Sequence, residues 1–168
     1  MSVRYFSLIA GIFYLALGIA GVLPGFVEAT DAMPGYMAEI GASDQLRYIF
    51  GLFPVNTFES MLYVVIGMGG LAGYAGTEAF ARLYADTLAV WLGLIGLLGL
   101  IPIANTLFGL APVYGNDVYL HLGTAAIAAY FGFVLDRGRP ERDPSVPDSL
   151  KPEPMTRTPF RSESPTQS

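Results

Sequence analysis

The stretch YFSLIAGIFYLALGIAGVL, residues 5–23, decides the fold. It holds no charged side chain, and at about 1.5 Å per residue a helix of this length nearly crosses a hydrocarbon core of roughly 30 Å. Pro24 and Gly25 end it. A secretory signal peptide, with Arg4 as its basic start, is the competing interpretation, but the apolar segment of such a peptide is only about 7 to 15 residues long. We therefore expect a retained membrane-spanning helix.

Three more apolar runs follow, at residues 58–75, 83–103 and 118–135. Each is apolar on all sides of a helix rather than along one stripe, which indicates burial in lipid. Of the 168 residues, 53% are hydrophobic and 14% are charged, whereas an ordinary soluble domain has about a quarter charged residues. The sequence predicts an all-α bundle of four transmembrane helices within a membrane domain at residues 1–135. Trp91, in the middle of the third run, is expected to fill space between spans.

Composition also excludes several classes of function. The net charge of −5 argues against nucleic acid as a partner, because phosphate binding needs concentrated Lys and Arg. The absence of cysteine excludes disulfides and thiolate chemistry. No catalytic triad and no Gly-rich phosphate loop can be assembled from the sequence. We predict that the protein is not an enzyme and that it has no cofactor.

Positively charged residues predict the orientation, because Lys and Arg stay on the cytoplasmic side of a membrane. Arg4 precedes the first helix, Arg82 lies between the second and third, and three arginines follow the fourth, at positions 137, 139 and 142. Only Arg47 falls on the opposite side. The protein is therefore expected in a bacterial cytoplasmic membrane, with both termini in the cytoplasm and outer loops at residues 24–57 and 104–117.

The first outer loop contains an apolar pattern with helical spacing. Leu46, Ile49, Phe50 and Phe53 recur at i, i+3, i+4 and i+7. Ser43 and Asp44 precede them and are suitable capping residues. The pattern predicts a short interfacial helix, either as a plain membrane anchor or as a cap over the outer end of the bundle.

Residues 136–168 differ in character from the rest of the chain. Seven of the twelve prolines fall there, with six positive and six negative side chains and no apolar period. Such a segment cannot bury enough surface to offset the entropy of ordering it. We predict a disordered cytoplasmic tail.

An internal duplication is the most informative pattern in the sequence. Gly51-Leu52-Phe53-Pro54-Val55 leads into the second helix, and Gly109-Leu110-Ala111-Pro112-Val113 leads into the fourth, 58 positions later. At this offset Glu59 falls on Asp117 and Tyr63 falls on His121. The first and third helices align at an offset of 78, which pairs Arg4 with Arg82, Gly18 with Gly96 and Gly21 with Gly99. A copied hairpin keeps its orientation, so the sequence predicts a parallel repeat with its axis along the membrane normal.

The repeat places two acids at matching depths near the outer ends of their helices. Asn56, Glu59, Ser60 and Tyr63 share one face of the second helix, and Asp117 and His121 are i, i+4 neighbours on the fourth. If these faces meet, Asn56, Glu59, Tyr63, Asp117 and His121 form one polar cluster. Its interpretation stays open between a structural hydrogen-bond network and a proton or cation site. A metal site would need two acids and one histidine from separate helices, and we predict none.

The motifs resemble those of a widespread bacterial family of small four-helix membrane proteins, known only as a domain of unknown function. The resemblance rests on Gly51-Leu52-Phe53-Pro54-Val55-Asn56 and on the segment from Asp117 to Ala125 with its Asp-x-x-x-His spacing, and it covers roughly residues 4–135. Where proteins of that family often carry histidines after Pro-x-Asn, this chain has Glu59 and Tyr63. The resemblance implies an integral membrane protein with four helices and supplies no activity.

Three functions remain at this point, and the least favoured is a pigment- or metal-binding subunit, because one histidine offers few axial ligands. The first is a non-enzymatic structural or accessory subunit, packed by its Gly-rich faces against a second copy or a larger membrane complex. The second is a small transport protein for protons or cations that uses the outer Glu/Asp/His cluster. Transport is favoured if the Glu59 and Asp117 carboxyl groups lie within one shared, water-accessible cavity near His121, and the accessory role is favoured if they point to separate surfaces.

Overall fold

A computed structural model of the protein describes residues 2–29 and 46–135. Its helices are α1 (Val3–Ala20), α2 (Thr57–Ala75), α3 (Glu78–Gly99) and α4 (Asn116–Ala129), and a π-helical turn, Tyr130–Val134, continues α4. All four are long and apolar enough to span a membrane. The predicted bundle of four membrane-spanning helices is confirmed. The predicted tail, residues 136–168, lies outside the described residues.

Helices α2 and α3 are joined by a short turn, and local polar groups fix where each begins. Asn56 caps α2, and the Thr77 hydroxyl caps α3 by accepting a hydrogen bond from the Phe80 amide at 3.2 Å. Such caps satisfy amide donors that have no partner within the helix, which matters most where no water is present. The two helices therefore reverse direction within a few residues.

The bundle consists of two closely packed helical pairs, α1 with α2 and α3 with α4. In the first pair a Cβ atom on Gly67 would lie 2.5 Å from the Leu15 backbone nitrogen, and one on Gly70 would lie 2.5 Å from the Gly11 Cα. Helices in lipid have no hydrophobic driving force for association, because the lipid tails are as apolar as the side chains. Their packing depends on van der Waals contact, and small residues allow the backbones to approach closely enough for it. The glycines of α1 and α2 are thus used inside the chain.

The same contacts occur in both pairs at the offsets of the proposed repeat. In α1 and α2, Gly18 meets Val64 and Gly21 meets Ser60. The equivalent contacts in α3 and α4 are Gly96 with Leu122 and Gly99 with Val118. The duplication stays a prediction, and these are the contacts that it expects.

At the end of the bundle where α2 begins, three short strands form an antiparallel sheet in the order β1 (Val27–Ala29), β2 (Arg47–Ile49) and β3 (Phe53–Val55). The predicted interfacial helix is wrong for its described part, because Leu46 precedes a strand and Ile49 pairs with Phe53 across a tight turn. Phe50 and Gly51 at the turn have φ of 52° and 69°, a conformation that favours glycine and ends a helix. Ser43 and Asp44 lie outside the described residues.

Strand alternation explains the apolar residues that suggested a helix. Ile49 and Val55 are fully buried beneath the sheet, and Phe53 is half-buried, while Phe50 is exposed at the turn. Ile49 and Phe53 lie on the same side of the sheet because they are cross-strand partners on β2 and β3, and their spacing of four residues also fits one face of a helix. Gly51 and Pro54 are unfavourable inside a helix, and they therefore favour the sheet over the predicted helix.

The outward faces of the helices are apolar and uncovered. Trp91 is 62% exposed, so the prediction that it fills space between spans is wrong, and it lies on the surface that faces lipid. Met61 and Val65 on α2 and Leu94 on α3 are exposed in the same way. An apolar outer surface of this kind suits a bilayer, where acyl chains solvate it.

Candidate functional site

Four polar side chains of α2 and α4 meet around the hydroxyl group of Tyr63. The hydroxyl oxygen lies 2.7 Å from Asp117 Oδ1, 3.2 Å from Glu59 Oε1 and 3.2 Å from His121 Nε2. On the other side of the imidazole, His121 Nδ1 lies 3.1 Å from Asp117 Oδ2. We call Glu59, Tyr63, Asp117 and His121 the central cluster. The structure brings together the acids and the aromatic pair that the sequence singled out.

Asn56 positions the central cluster rather than touching its carboxyl groups. Its side-chain oxygen accepts a hydrogen bond from the Glu59 amide at 2.8 Å, and its side-chain nitrogen donates to the Leu110 carbonyl at 2.7 Å. Ser60, on the same face, donates its hydroxyl to the Asn56 carbonyl at 2.9 Å. Asn56 therefore ties the start of α2 to the loop that leads into α4.

The central cluster is shielded from the surroundings. Glu59 is 1% exposed, Asp117 0% and His121 2%. Each of the three arginines in the described part of the chain donates elsewhere: Arg4 to the Tyr74 carbonyl, Arg47 to the Thr57 hydroxyl, and Arg82 to Glu78 and the Leu135 carbonyl. The two carboxyl groups are thus buried without a guanidinium partner from these residues.

Three atoms of the central cluster carry unused hydrogen-bonding capacity. Glu59 Oε2, Asp117 Oδ2 and His121 Nδ1 are buried and have no hydrogen-bond partner among the described residues. The last two are 3.1 Å apart but not aligned for a hydrogen bond. Glu59, Asp117 and His121 each offer one ligand atom within 4.8 Å of the others. The arrangement can accept a positive charge, either protons or a metal ion.

A second polar layer borders the central cluster and was missed in the sequence. The Tyr14 ring lies 5.3 Å from the Tyr63 ring, centroid to centroid, and its hydroxyl donates to Thr124 Oγ1 at 3.0 Å. A buried tyrosine needs a partner for its hydroxyl, so Tyr14 in an otherwise apolar span was the available signal. This layer connects α1 to α4 directly beside the site.

Two further polar groups, the half-buried Asp86 and the buried Ser7, lie apart from the central cluster. Asp86 on α3 faces the π-helical turn of α4, where Gly132 leaves room for its carboxylate. The Ser7 hydroxyl lies within 3.3 Å of the Ala81 carbonyl at the start of α3. Both are at the end of the bundle opposite to the central cluster, which is built at the N-termini of α2 and α4.

The comparisons with known proteins identify a family but no activity. No curated protein and no solved structure matches the chain. A family model described as a domain of unknown function, DUF4383, matches residues 4–134. This range includes all four spans and the whole central cluster. The chain therefore belongs to the DUF4383 family of proteins.

Proposed function

We propose that this multi-pass membrane protein is a small cation-transport protein whose central cluster binds a proton or another cation. The observation that carries the proposal is the meeting of Glu59 and Asp117 in one buried cluster with His121. The sequence left open whether these acids share a site, and acids that pointed to separate surfaces would have favoured a purely accessory role.

The energetics favour a bound cation. Two like charges a few ångströms apart repel each other strongly in a medium of low dielectric constant. Burial adds a desolvation cost of several kcal/mol for each ion. Glu59 and Asp117 lie in the first turns of α2 and α4, where the helix dipole offsets only about 0.3–2 kcal/mol for each charge. A proton or a cation at the central cluster supplies the missing compensation.

The proposed direction of access follows from the charge pattern of the sequence. The positive-inside rule puts both termini in the cytoplasm of a bacterial cell and the starts of α2 and α4 near the outer face. Ions would then reach the central cluster from the outer side. The proposal includes no chemical transformation of a substrate, so the protein is taken as non-enzymatic.

A structural or accessory subunit remains the second candidate, and one observation bears on it. The glycines of α1 contact α2 inside the chain, so they are not free for a second copy: Gly11, Gly18 and Gly21. Only the apolar outward faces are left for a second copy or a larger membrane complex. A protein of this second kind would carry no flux of its own.

Flux through proteoliposomes tests the proposal. Vesicles that contain the purified protein and a trapped pH-sensitive dye are given a membrane potential, and proton entry is compared between the wild type and the double variant Glu59→Gln with Asp117→Asn. We expect flux above that of empty vesicles, and a reduction of at least tenfold in the double variant.

The matched control is Glu28→Gln with Glu78→Gln, which removes the same number of carboxylates from exposed positions. This control should conduct like the wild type. Equal flux in all three proteins, or flux no higher than that of empty vesicles with protons and with Na⁺ or K⁺ gradients, contradicts transport and leaves the accessory role.

A further inference from the structure

We infer that the central cluster is a binding site for a divalent first-row transition-metal cation, with Glu59 Oε2, Asp117 Oδ2 and His121 Nδ1 as its protein ligands. The inference names the cation class for the proposed transport function and rests on it in that respect. The sequence predicted no metal site, because its acids and its histidine lie on separate helices. The fold removes that objection by bringing α2 and α4 together.

The unpaired atoms identify where a cation binds. Each of the three residues has one polar atom held by Tyr63 and one without a hydrogen-bond partner among the described residues. The unpaired atoms are two carboxylate oxygens and one imidazole nitrogen, which are all ligands for Zn²⁺ and similar ions. Buried polar atoms of native proteins are rarely left without partners. A shared cation satisfies all three at once.

The hydrogen bonds around Tyr63 determine which nitrogen of the His121 imidazole carries the proton. The single hydroxyl proton is needed by the carboxylates, and it lies nearest to Asp117 Oδ1 at 2.7 Å. His121 Nε2 must then donate its N–H to the Tyr63 oxygen across 3.2 Å. A neutral imidazole carries one N–H, so Nδ1 is left with a lone pair and has no proton to donate to Asp117 Oδ2. Two lone pairs 3.1 Å apart are the arrangement that a cation between them relieves.

Charge and ligand type select the cation class. Two ionised carboxylates are neutralised by one divalent ion, whereas a monovalent ion leaves a buried negative charge. An imidazole nitrogen favours zinc, cobalt, nickel, copper or iron over Mg²⁺ and Ca²⁺, which take oxygen ligands. Three protein ligands leave a coordination position open, as expected of a site from which the ion must also leave.

Tyr63 acts as the positioning residue of this site. Its hydroxyl contacts the one polar atom of each ligand residue that does not bind the metal: Glu59 Oε1, Asp117 Oδ1 and His121 Nε2. Groups that orient metal ligands in this way typically contribute 10–100-fold to affinity. Tyr63 binds no metal in this scheme, so its loss should weaken binding without abolishing it.

Cobalt binding tests the inference on the full chain. Protein purified in detergent is stripped with a chelator and titrated with Co²⁺, and visible absorption reports the ligand environment while Zn²⁺ competition reports affinity. We expect one ion per chain, displaced by Zn²⁺ and not by Mg²⁺. His121→Gln should weaken binding at least 100-fold and Tyr63→Phe about 10–100-fold, whereas Glu28→Gln with Glu78→Gln should bind like the wild type.

Folding of the variants does not decide the outcome. If His121→Gln does not fold, the wild-type spectrum and Tyr63→Phe still test the site. A cobalt spectrum identical to that of the free aqueous ion, or a Zn²⁺ affinity unchanged in Tyr63→Phe, overturns the inference. Metal binding without flux in vesicles leaves the site and removes transport, and proton flux without metal binding leaves transport and removes the site.

Discussion

The α1–α2 and α3–α4 hairpins reach the central cluster in the same register with different side chains. Glu59 and Tyr63 come from α2, and Asp117 and His121 occupy the equivalent positions of α4. The acids differ by one methylene, but the aromatic pair differs in kind. Tyr63 supplies a proton that its neighbours share, whereas His121 supplies a nitrogen lone pair. A symmetric pair of tyrosines would supply hydroxyl protons but no imidazole lone pair.

The hairpins also differ in how tightly they pack. A Cβ atom added to Gly67 would lie 2.5 Å from the Leu15 backbone nitrogen, whereas one added to Gly93 of α3 would lie 3.7 Å from the Cβ of Ala125, the equivalent of Gly67. At this position the two helices of the first hairpin lie closer together than those of the second, so the first hairpin tolerates an added methyl group less well. Substitutions can therefore test the difference in packing and the difference in site residues separately.

The largest effect is expected from making the two halves alike at the site. His121→Tyr removes the Nδ1 ligand, so Co²⁺ affinity should fall by at least 100-fold in a titration of the purified variant. The double variant Tyr63→His with His121→Tyr exchanges the two side chains between the hairpins. If the halves are equivalent, affinity should recover to within about tenfold of the wild type, since about 1.4 kcal/mol corresponds to a factor of ten. No recovery would show that the hairpins are not interchangeable.

Packing gives the next effect. Gly67→Ala should lower the free energy of unfolding by about 1–3 kcal/mol, because the added methyl meets backbone rather than a flexible side chain. The matched change in the second hairpin, Ala125→Gly, removes one buried methyl group and should cost about 1 kcal/mol. Unfolding in mixed micelles by added SDS measures both. A larger loss in Ala125→Gly than in Gly67→Ala would contradict the difference in packing.

The start of α2 and the start of α4 are held differently. Asn56→Ala loses a helix cap and the hydrogen bond to the Leu110 carbonyl, so we expect a loss of about 1–2 kcal/mol. The equivalent residue, Tyr114, lies 3.3 Å from the Tyr48 hydroxyl through its own hydroxyl. Tyr114→Phe should cost less than about 1 kcal/mol by the same unfolding assay. A larger loss of unfolding free energy from Tyr114→Phe than from Asn56→Ala would show that the start of α4 is held more firmly than the start of α2.

The smallest effect concerns the arginines at the opposite end. Arg4 donates to the Tyr74 carbonyl at 3.1 and 2.7 Å, and Arg82 donates to the Leu135 carbonyl at 3.2 Å. Arg4→Gln should shift the thermal midpoint in detergent by a few degrees and Arg82→Gln by less, because such exposed contacts contribute little. Neither change should alter Co²⁺ affinity, and a loss of binding in either would show coupling across the bundle that this structure does not explain.

Much of this fold could be predicted because a lipid environment restricts the structures that an apolar segment can form. A span must satisfy its backbone internally, so a long apolar run such as residues 5–23 admits only a helix. The loop between α1 and α2 is different, because Ile49 and Phe53 have a spacing that fits a helix face but also fits two paired strands joined by a turn. Only the positive φ of the turn at Phe50 and Gly51 distinguished them, and sequence spacing does not contain it.

The site was predictable as far as one-dimensional patterns allow. The repeat offset identified Glu59, Tyr63, Asp117 and His121 as equivalent pairs, since ionisable groups are rare in spans and stand out. It could not reveal that Tyr63 contacts the other three, or that Tyr14 and Thr124 border them. These contacts depend on the distance and rotation between α2 and α4, which are set by side-chain packing over the whole bundle.

The most direct test of the account is X-ray absorption at the zinc edge of the zinc-loaded wild-type protein. It asks whether side chains from both hairpins bind one ion. We predict a first shell that contains nitrogen from one imidazole together with carboxylate oxygens at roughly 2.0–2.2 Å, and loss of the imidazole signal in His121→Tyr. A shell of oxygen atoms only, unchanged by that substitution, would contradict the account.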